Sequence, residues 1–90
     1  MPGSSEAAIT LAGDLHARPA GMLAVAAAGY ASAVEITVGD ASVNAKSVLS
    51  VMGLGATNGQ RVVVRATGPD ARQAVAALIG ILAEATPVGG

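Results

Sequence analysis

Two spacings of apolar residues alternate along the chain. Residues 34–38 (VEITV) set Val34, Ile36 and Val38 on one side and Glu35 and Thr37 on the other, the two-residue period of a half-buried strand. Residues 61–66 (RVVVRA) repeat that pattern, with Val62, Val64 and Ala66 opposed to Arg61, Val63 and Arg65. Residues 7–12 (AAITLA) follow it more weakly, with Ile9 and Leu11 on one face. Elsewhere the spacing lengthens to that of a helix. Residues 17–31 carry small or apolar side chains at 20, 23, 24, 27 and 31, and residues 71–84 align Val75, Leu78, Ile79 and Leu82 in one stripe. Turn residues separate these runs. Gly13-Asp14 ends the first strand, and Gly39-Asp40 is a tight turn from which residues 41–45 return as the second arm of a hairpin. Thr57-Asn58-Gly59 is a further turn. Gly68-Pro69-Asp70 ends the last strand and opens the last helix, with Asp70 placed to cap it. Ser47 is placed to cap a short helix from Val48 to about Leu54, with Gly55 available to stop it.

The predicted order is β-α-β-β-α-β-α. Short connections favour antiparallel pairing, and strands that alternate bury one face only. The expectation is an α+β fold: an open-faced β-sandwich in which three helices cover one face of a four-stranded antiparallel sheet. Ninety residues suit one core. Residues 1–6 (MPGSSE) are expected to form a flexible leader, 7–85 the domain, and 86–90 a flexible Pro/Gly tail. Hydrophobic residues make up 52% of the chain and aromatic ones 1%, so the core must be built from Ala, Val, Leu, Ile and Met, with Tyr30 the sole aromatic. A formal charge of −1 and a single aromatic argue against nucleic-acid binding. Cysteine is absent, which removes disulfide and thiolate chemistry and suits a cytoplasmic location. No charged-then-apolar signal pattern opens the chain, and no apolar run approaches the ~20 residues of a membrane span.

One segment carries chemistry. LHARPAG, residues 15–21, holds the only histidine, His16, with Arg18 and Pro19 close behind and a helix starting there. Proline is accepted in the first turn of a helix because its missing N–H has no partner to lose. A zinc site needs several N or S ligands, which one His and no Cys cannot supply, so no metal is expected. A Ser-His-Asp triad would need a marked nucleophilic serine, and none is marked. A lone histidine at a helix start is, taken by itself, most often structural or merely solvated. The neighbours change this. Free N–H groups at a helix start bind phosphate, and those of Ala17 and Arg18 can point at an anion there. Arg18 adds a permanent bidentate donor for oxyanions. The positive end of the helix also lowers the imidazole pKa and leaves one ring nitrogen free as a nucleophile. The segment therefore suits a phosphoryl group carried on His16.

LHARPAG resembles the active-site segment of the histidine-containing phosphocarrier proteins, the HPr family of the bacterial phosphoenolpyruvate-dependent sugar phosphotransferase system. VNAKSVLSVMGLGA, residues 43–56, resembles the segment with that family's regulatory serine. The two segments, their separation and the element order together extend the resemblance over residues 7–85. It implies the sandwich fold, phosphorylation of His16 on Nδ1, an Arg18 that steadies the phosphoryl group, and regulatory phosphorylation at Ser47. It implies enzyme I as donor, enzyme IIA domains of sugar permeases as acceptors, and no cofactor. A serine kinase, transcriptional regulators and a monomeric state also follow from it. One position departs from the pattern. The family usually has Gly two residues before the His, where this chain has Asp14; an altered loop or a less stable phosphohistidine is the expected consequence.

A carrier needs an exposed surface for transient partners. In the short helix Val48, Leu49 and Met52 can share an outward face while Val51 and Leu54 point inward, and Ala17 and Gly21 would extend the patch. The opposing expectation is that all five apolar residues of that helix are core. Two other functions fit the same fold: a regulatory module whose phosphorylation state is read by regulators, and a small-molecule-binding domain in which His16 is incidental.

Overall fold

The computed structural model of the chain describes residues 3–15 and 17–84. Its elements are β1 (Gly3–Thr10), α1 (Ala17–Ala28), β2 (Ala33–Val38), β3 (Ala41–Asn44), α2 (Val48–Gly53), β4 (Arg61–Gly68) and α3 (Ala71–Glu84). The four strands form one antiparallel sheet in the order β1-β4-β2-β3. This is the predicted order and architecture. Strand alternation decides which side is dry. Val34, Ile36, Val62, Val64 and Ala66 are buried, while Glu6, Glu35, Arg61 and Arg65 are exposed on the opposite face. α3 lies on β1 and β4, and α1 packs against both α2 and α3. Leu23 from α1, Val51 from α2 and Leu78 and Leu82 from α3 complete a core without aromatics. Each such side chain, fully buried, contributes roughly 1.5–3 kcal/mol.

Three expectations need correction. The first strand starts at Gly3, so residues 3–6, expected in a flexible leader, instead pair with residues 65–68, from Gly3 opposite Gly68 to Glu6 opposite Arg65. Gly3, Ser4 and Ser5 offer no apolar alternation, and the ladder to β4 is what orders them. Residues 85–90, which include the expected tail, lie outside the described residues, as do Met1 and Pro2. The first helix ends at Ala28 and not at Ala31. Its last turn tightens, with Gly29 N donating to Ala26 O and Tyr30 N to Ala27 O, both at 3.1 Å.

The third correction explains the second. Asp70 occupies the position before α3, and its carbonyl accepts from Ala74 N (3.0 Å), but its carboxylate does not cap that helix. It reaches the α1–β2 connection instead. Oδ2 accepts from Ala31 N (2.9 Å), and Oδ1 accepts from Ser32 N (2.9 Å) and Ser32 Oγ (2.6 Å). Asp70 N donates back to Ser32 Oγ at 3.2 Å. The N–H groups that would have prolonged α1 thus belong to a clasp between two loops. The Ser32 hydroxyl, then the N–H of Ala31, hold the Asp70 carboxyl below its ordinary value. Gly68 completes the clasp: at φ 147°, a Cβ there would fall 2.5 Å from Ser32 Oγ and 2.7 Å from Ser32 Cα.

Candidate functional site

The segment that leads to His16 is tied down along its length. Leu11 N donates to Gln60 O (2.9 Å), Gly59 N to Leu11 O (2.8 Å) and Leu15 N to Ala56 O (2.9 Å). Residues 11–15 thus run beside the loop that precedes β4. Leu11 is buried and Leu15 half-buried against the core, which anchors the connector from below. His16 itself lies outside the described residues, as does the side chain of Ala17. Its two covalent neighbours frame it: Leu15, pinned through its N–H, and Ala17, the first residue of α1.

α1 starts where the sequence predicts. Pro19 and Ala20 are buried in its first turn, which turns Arg18 outward to solvent. Beyond Arg18 the exposed face of α1 carries Met22 and Val25, with Val25 76% exposed. Together with Gly21, Ala26 and Ile81 of α3 these side chains border a shallow apolar hollow that has Arg18 at its rim. A Cβ at Gly21 would meet nothing within 4 Å, so this stretch of the helix presents bare backbone to solvent.

Ser47 is the N-cap of α2. Its backbone is extended (φ −103°, ψ 109°) and its Oγ accepts from Ser50 N at 3.3 Å, a long bond for a cap. The approach is ordered by Asn44, whose Oδ1 accepts from Lys46 N (2.9 Å) and whose carbonyl accepts from Ser47 N (3.1 Å). Lys46 Nζ donates to Tyr30 O (3.2 Å), which ties this corner to the end of α1. The helix divides as its spacing suggests. Val51 is fully buried and Leu54 half-buried, whereas Val48, Leu49 and Met52 are exposed, Leu49 by 82%. The five apolar residues are therefore not all core. Because α2 packs on α1, the elements bearing Arg18 and Ser47 form one flank of the molecule.

Asp14, the departure from the family pattern, does not strain the loop. Among the described residues no non-glycine has a positive φ, so Asp14 sits in ordinary backbone. Its carboxylate is engaged, with Oδ1 accepting from Asn58 N at 2.9 Å. Sequence reasoning located Asn58 in a turn and Asp14 before the histidine but gave no reason to join them. The link is 44 residues long in sequence and has no local signature.

Among the described residues no helix is long and apolar enough to cross a membrane. The PTS HPr component phosphorylation-site family model matches residues 4–84. The phosphocarrier protein HPr of Lysinibacillus sphaericus is 40% identical over 70 residues, covering 78% of this chain and 80% of that protein. The histidine-containing phosphocarrier protein of a Mycoplasma has the same fold, with a TM-score of 0.81 at 32% identity over 98% of this chain and 100% of that one. The catabolite-repression protein Crh of Bacillus subtilis is similar as well, with a TM-score of 0.73 at 30% identity over 89% of this chain and 92% of that one; its crystal structure is a domain-swapped, intertwined dimer. Matched along nearly its whole described length in sequence and in backbone, the chain belongs to the HPr family of phosphocarriers of the phosphoenolpyruvate-dependent phosphotransferase system.

Proposed function

We propose that this chain accepts a phosphoryl group on His16 from enzyme I and passes it to enzyme IIA domains of sugar permeases. The observation that carries the reading is the placement of Arg18. It is exposed at the second residue of a helix whose start follows His16 directly, within a chain of the HPr family. In the forward step a ring nitrogen of neutral His16 attacks the phosphorus held on the donor's histidine. The donor's P–N bond breaks as the new P–N bond forms, and the donor imidazole leaves. In the second step the acceptor's nitrogen attacks and His16 leaves. Arg18 and the N–H groups at the start of α1 stabilise the phosphoryl oxygens in both directions. Transfer between two protein-bound histidines needs close approach, which the bare backbone at Gly21 and the exposed Val48, Leu49 and Met52 provide. Ser47 is a second phosphorylation site, acting on partner binding. The carrier works as a cytoplasmic monomer.

The test is labelling. Radiolabelled phosphoenolpyruvate with enzyme I should place one acid-labile, base-stable phosphate on the wild-type chain and none on His16→Ala, while His16→Ala keeps its circular dichroism spectrum. Label on His16→Ala would overturn the assignment. A second reading draws on the likeness to Crh, a catabolite-repression protein: a regulatory module whose phosphorylation state is read by regulators. Failure of the labelled chain to phosphorylate any enzyme IIA, together with binding of the Ser47-phosphorylated form to a transcription factor, would favour it.

A further inference from the structure

Four hydrogen bonds join residues 11–15 to residues 56–60, and three of them run from backbone to backbone. The fourth is made by a side chain: Asp14 Oδ1 accepts from Asn58 N at 2.9 Å. It falls at the residue where the family usually has glycine, two positions before His16. We propose that Asp14 is a positioning residue for phosphoryl transfer, its carboxylate latching the approach to His16 onto the turn at Asn58. The inference rests on His16 being the acceptor and concerns how that acceptor is presented.

The geometry gives the latch its effect. Of the residues on either side of His16, Ala17 opens α1 and Leu15 is held through its N–H on Ala56 O. Residue 14 is the next point of attachment, and without a side-chain acceptor it would have none through its side chain. A carboxylate receiving an N–H makes a charge-assisted bond, stronger than a neutral one. In-line transfer between two proteins is sensitive to placement of the acceptor nitrogen, so loosening its approach lowers turnover before it lowers affinity. The partner of Asp14 is equally well defined. Gln60 N donates to Thr57 O (3.1 Å) and closes a β-turn with Asn58 second and Gly59 third, and Gly59 has φ 88°. Those are the features of a type II turn, whose second position favours proline. Asn58→Pro therefore removes the donor while suiting the turn.

The experiment measures initial rates of phosphorylation by phosphoenolpyruvate and enzyme I, with the full-length carrier as varied substrate, well below each variant's melting temperature. Asp14→Ala should lower turnover roughly three- to tenfold with KM unchanged, the scale of one lost hydrogen bond. Asn58→Pro should match it, and the double variant should be no slower than either single. Asp14→Asn keeps an acceptor oxygen and should recover most of the rate. Wild-type turnover in Asp14→Ala would overturn the proposal, as would losses that add in the double variant. So would an Asp14→Asn as slow as Asp14→Ala beside an unaffected Asn58→Pro, which would make the charge and not the latch responsible. Absence of any label on wild-type His16 would instead overturn the phosphocarrier reading itself.

Discussion

Arg18 and Ser47 show how much a single side chain can do here without touching the core. Arg18 is exposed, so Arg18→Ala should leave the melting temperature within about 2 °C of wild type, as surface substitutions usually do. In the proposed function its phosphate contact forms only during transfer. Losing a charge-assisted hydrogen bond worth roughly 1.5–3 kcal/mol should slow transfer about tenfold or more in rapid-quench kinetics. Unchanged kinetics would show that the N–H groups of α1 suffice. Ser47→Ala removes the cap on Ser50 N; because that bond is long, at 3.3 Å, the loss should lie near the low end of the cap range, about 0.5–1 kcal/mol by urea denaturation. Ser47→Asp keeps an acceptor and adds a negative charge at a helix start, so stability should hold or rise slightly. That charge adjoins exposed Val48 and Leu49, and the rate of His16 phosphorylation should fall. A Ser47→Asp protein that melts and transfers as wild type would sink the switch. Local chemistry singles out His16, Arg18 and Ser47 as candidates in the sequence, and the structure shows the exposure of Arg18 and the cap at Ser47 that it led one to expect. Asp14 was legible as an oddity and not as a latch, since its partner is supplied by the fold.

At the scale of elements, periodicity gave the sheet and the long helices nearly in full, because burial on one face leaves a regular trace. It failed where a long-range hydrogen bond decides the boundary. Gly29, directly after Ala28, is the one local stop signal, but it does not adopt the left-handed conformation of a helix-ending glycine; the boundary is held by the Asp70 carboxylate, which takes the N–H groups of Ala31 and Ser32. Likewise β1 extends back to Gly3 because β4 is long enough to pair with it. The clasp has a pH signature. The Asp70 carboxyl is held below its ordinary value in the folded chain, chiefly by Ser32 Oγ and next by Ala31 N. A depressed folded-state pKa contributes stability that is present above the unfolded value and is lost as pH falls through the folded one. Wild type should therefore be more stable than Asp70→Asn at pH 7, and the gap should narrow below about pH 4. Melting curves across that range check it, and a gap constant with pH would remove the carboxylate from the account. Gly68→Ala should be destabilising at every pH, since its methyl group would meet Ser32 Oγ at 2.5 Å and the backbone at 2.7 Å.

Viewed whole, the molecule distributes charge unevenly between the open face of the sheet and the α1–α2 flank. On the face of the sheet away from the helices Arg65 stands opposite Glu6 on one side and Glu35 on the other. The helical flank is the reverse. α1 and α2 contain a single ionisable residue, Arg18, yet among the described residues all five exposed large hydrophobics lie on these two helices: Met22, Val25, Val48, Leu49 and Met52. Composition could not reveal this division, because a chain of 52% apolar residues leaves open which of them the fold covers. The division predicts how a partner docks on that flank. Opposed charge fields accelerate encounter and make it sensitive to salt, with a screening length of about 8 Å at physiological ionic strength. With only Arg18 on α1, Lys46 at the entry to α2 and Glu84 beside Met22, the flank carries few charges of mixed sign and has little field to offer, so KM for enzyme I should change less than about threefold between low and high salt. Affinity should come from apolar anchors instead. Leu49 is 82% exposed, so Leu49→Ala removes little that stabilises the fold. The same truncation at the centre of an interface should raise KM about tenfold, the scale of a moderate hot spot. Val25→Ala, at the far end of the patch, should do less. Steady-state kinetics over a salt series for wild type and both variants would decide the matter. A steep salt dependence with an indifferent Leu49→Ala would place recognition on the charged sheet face and not on α1 and α2.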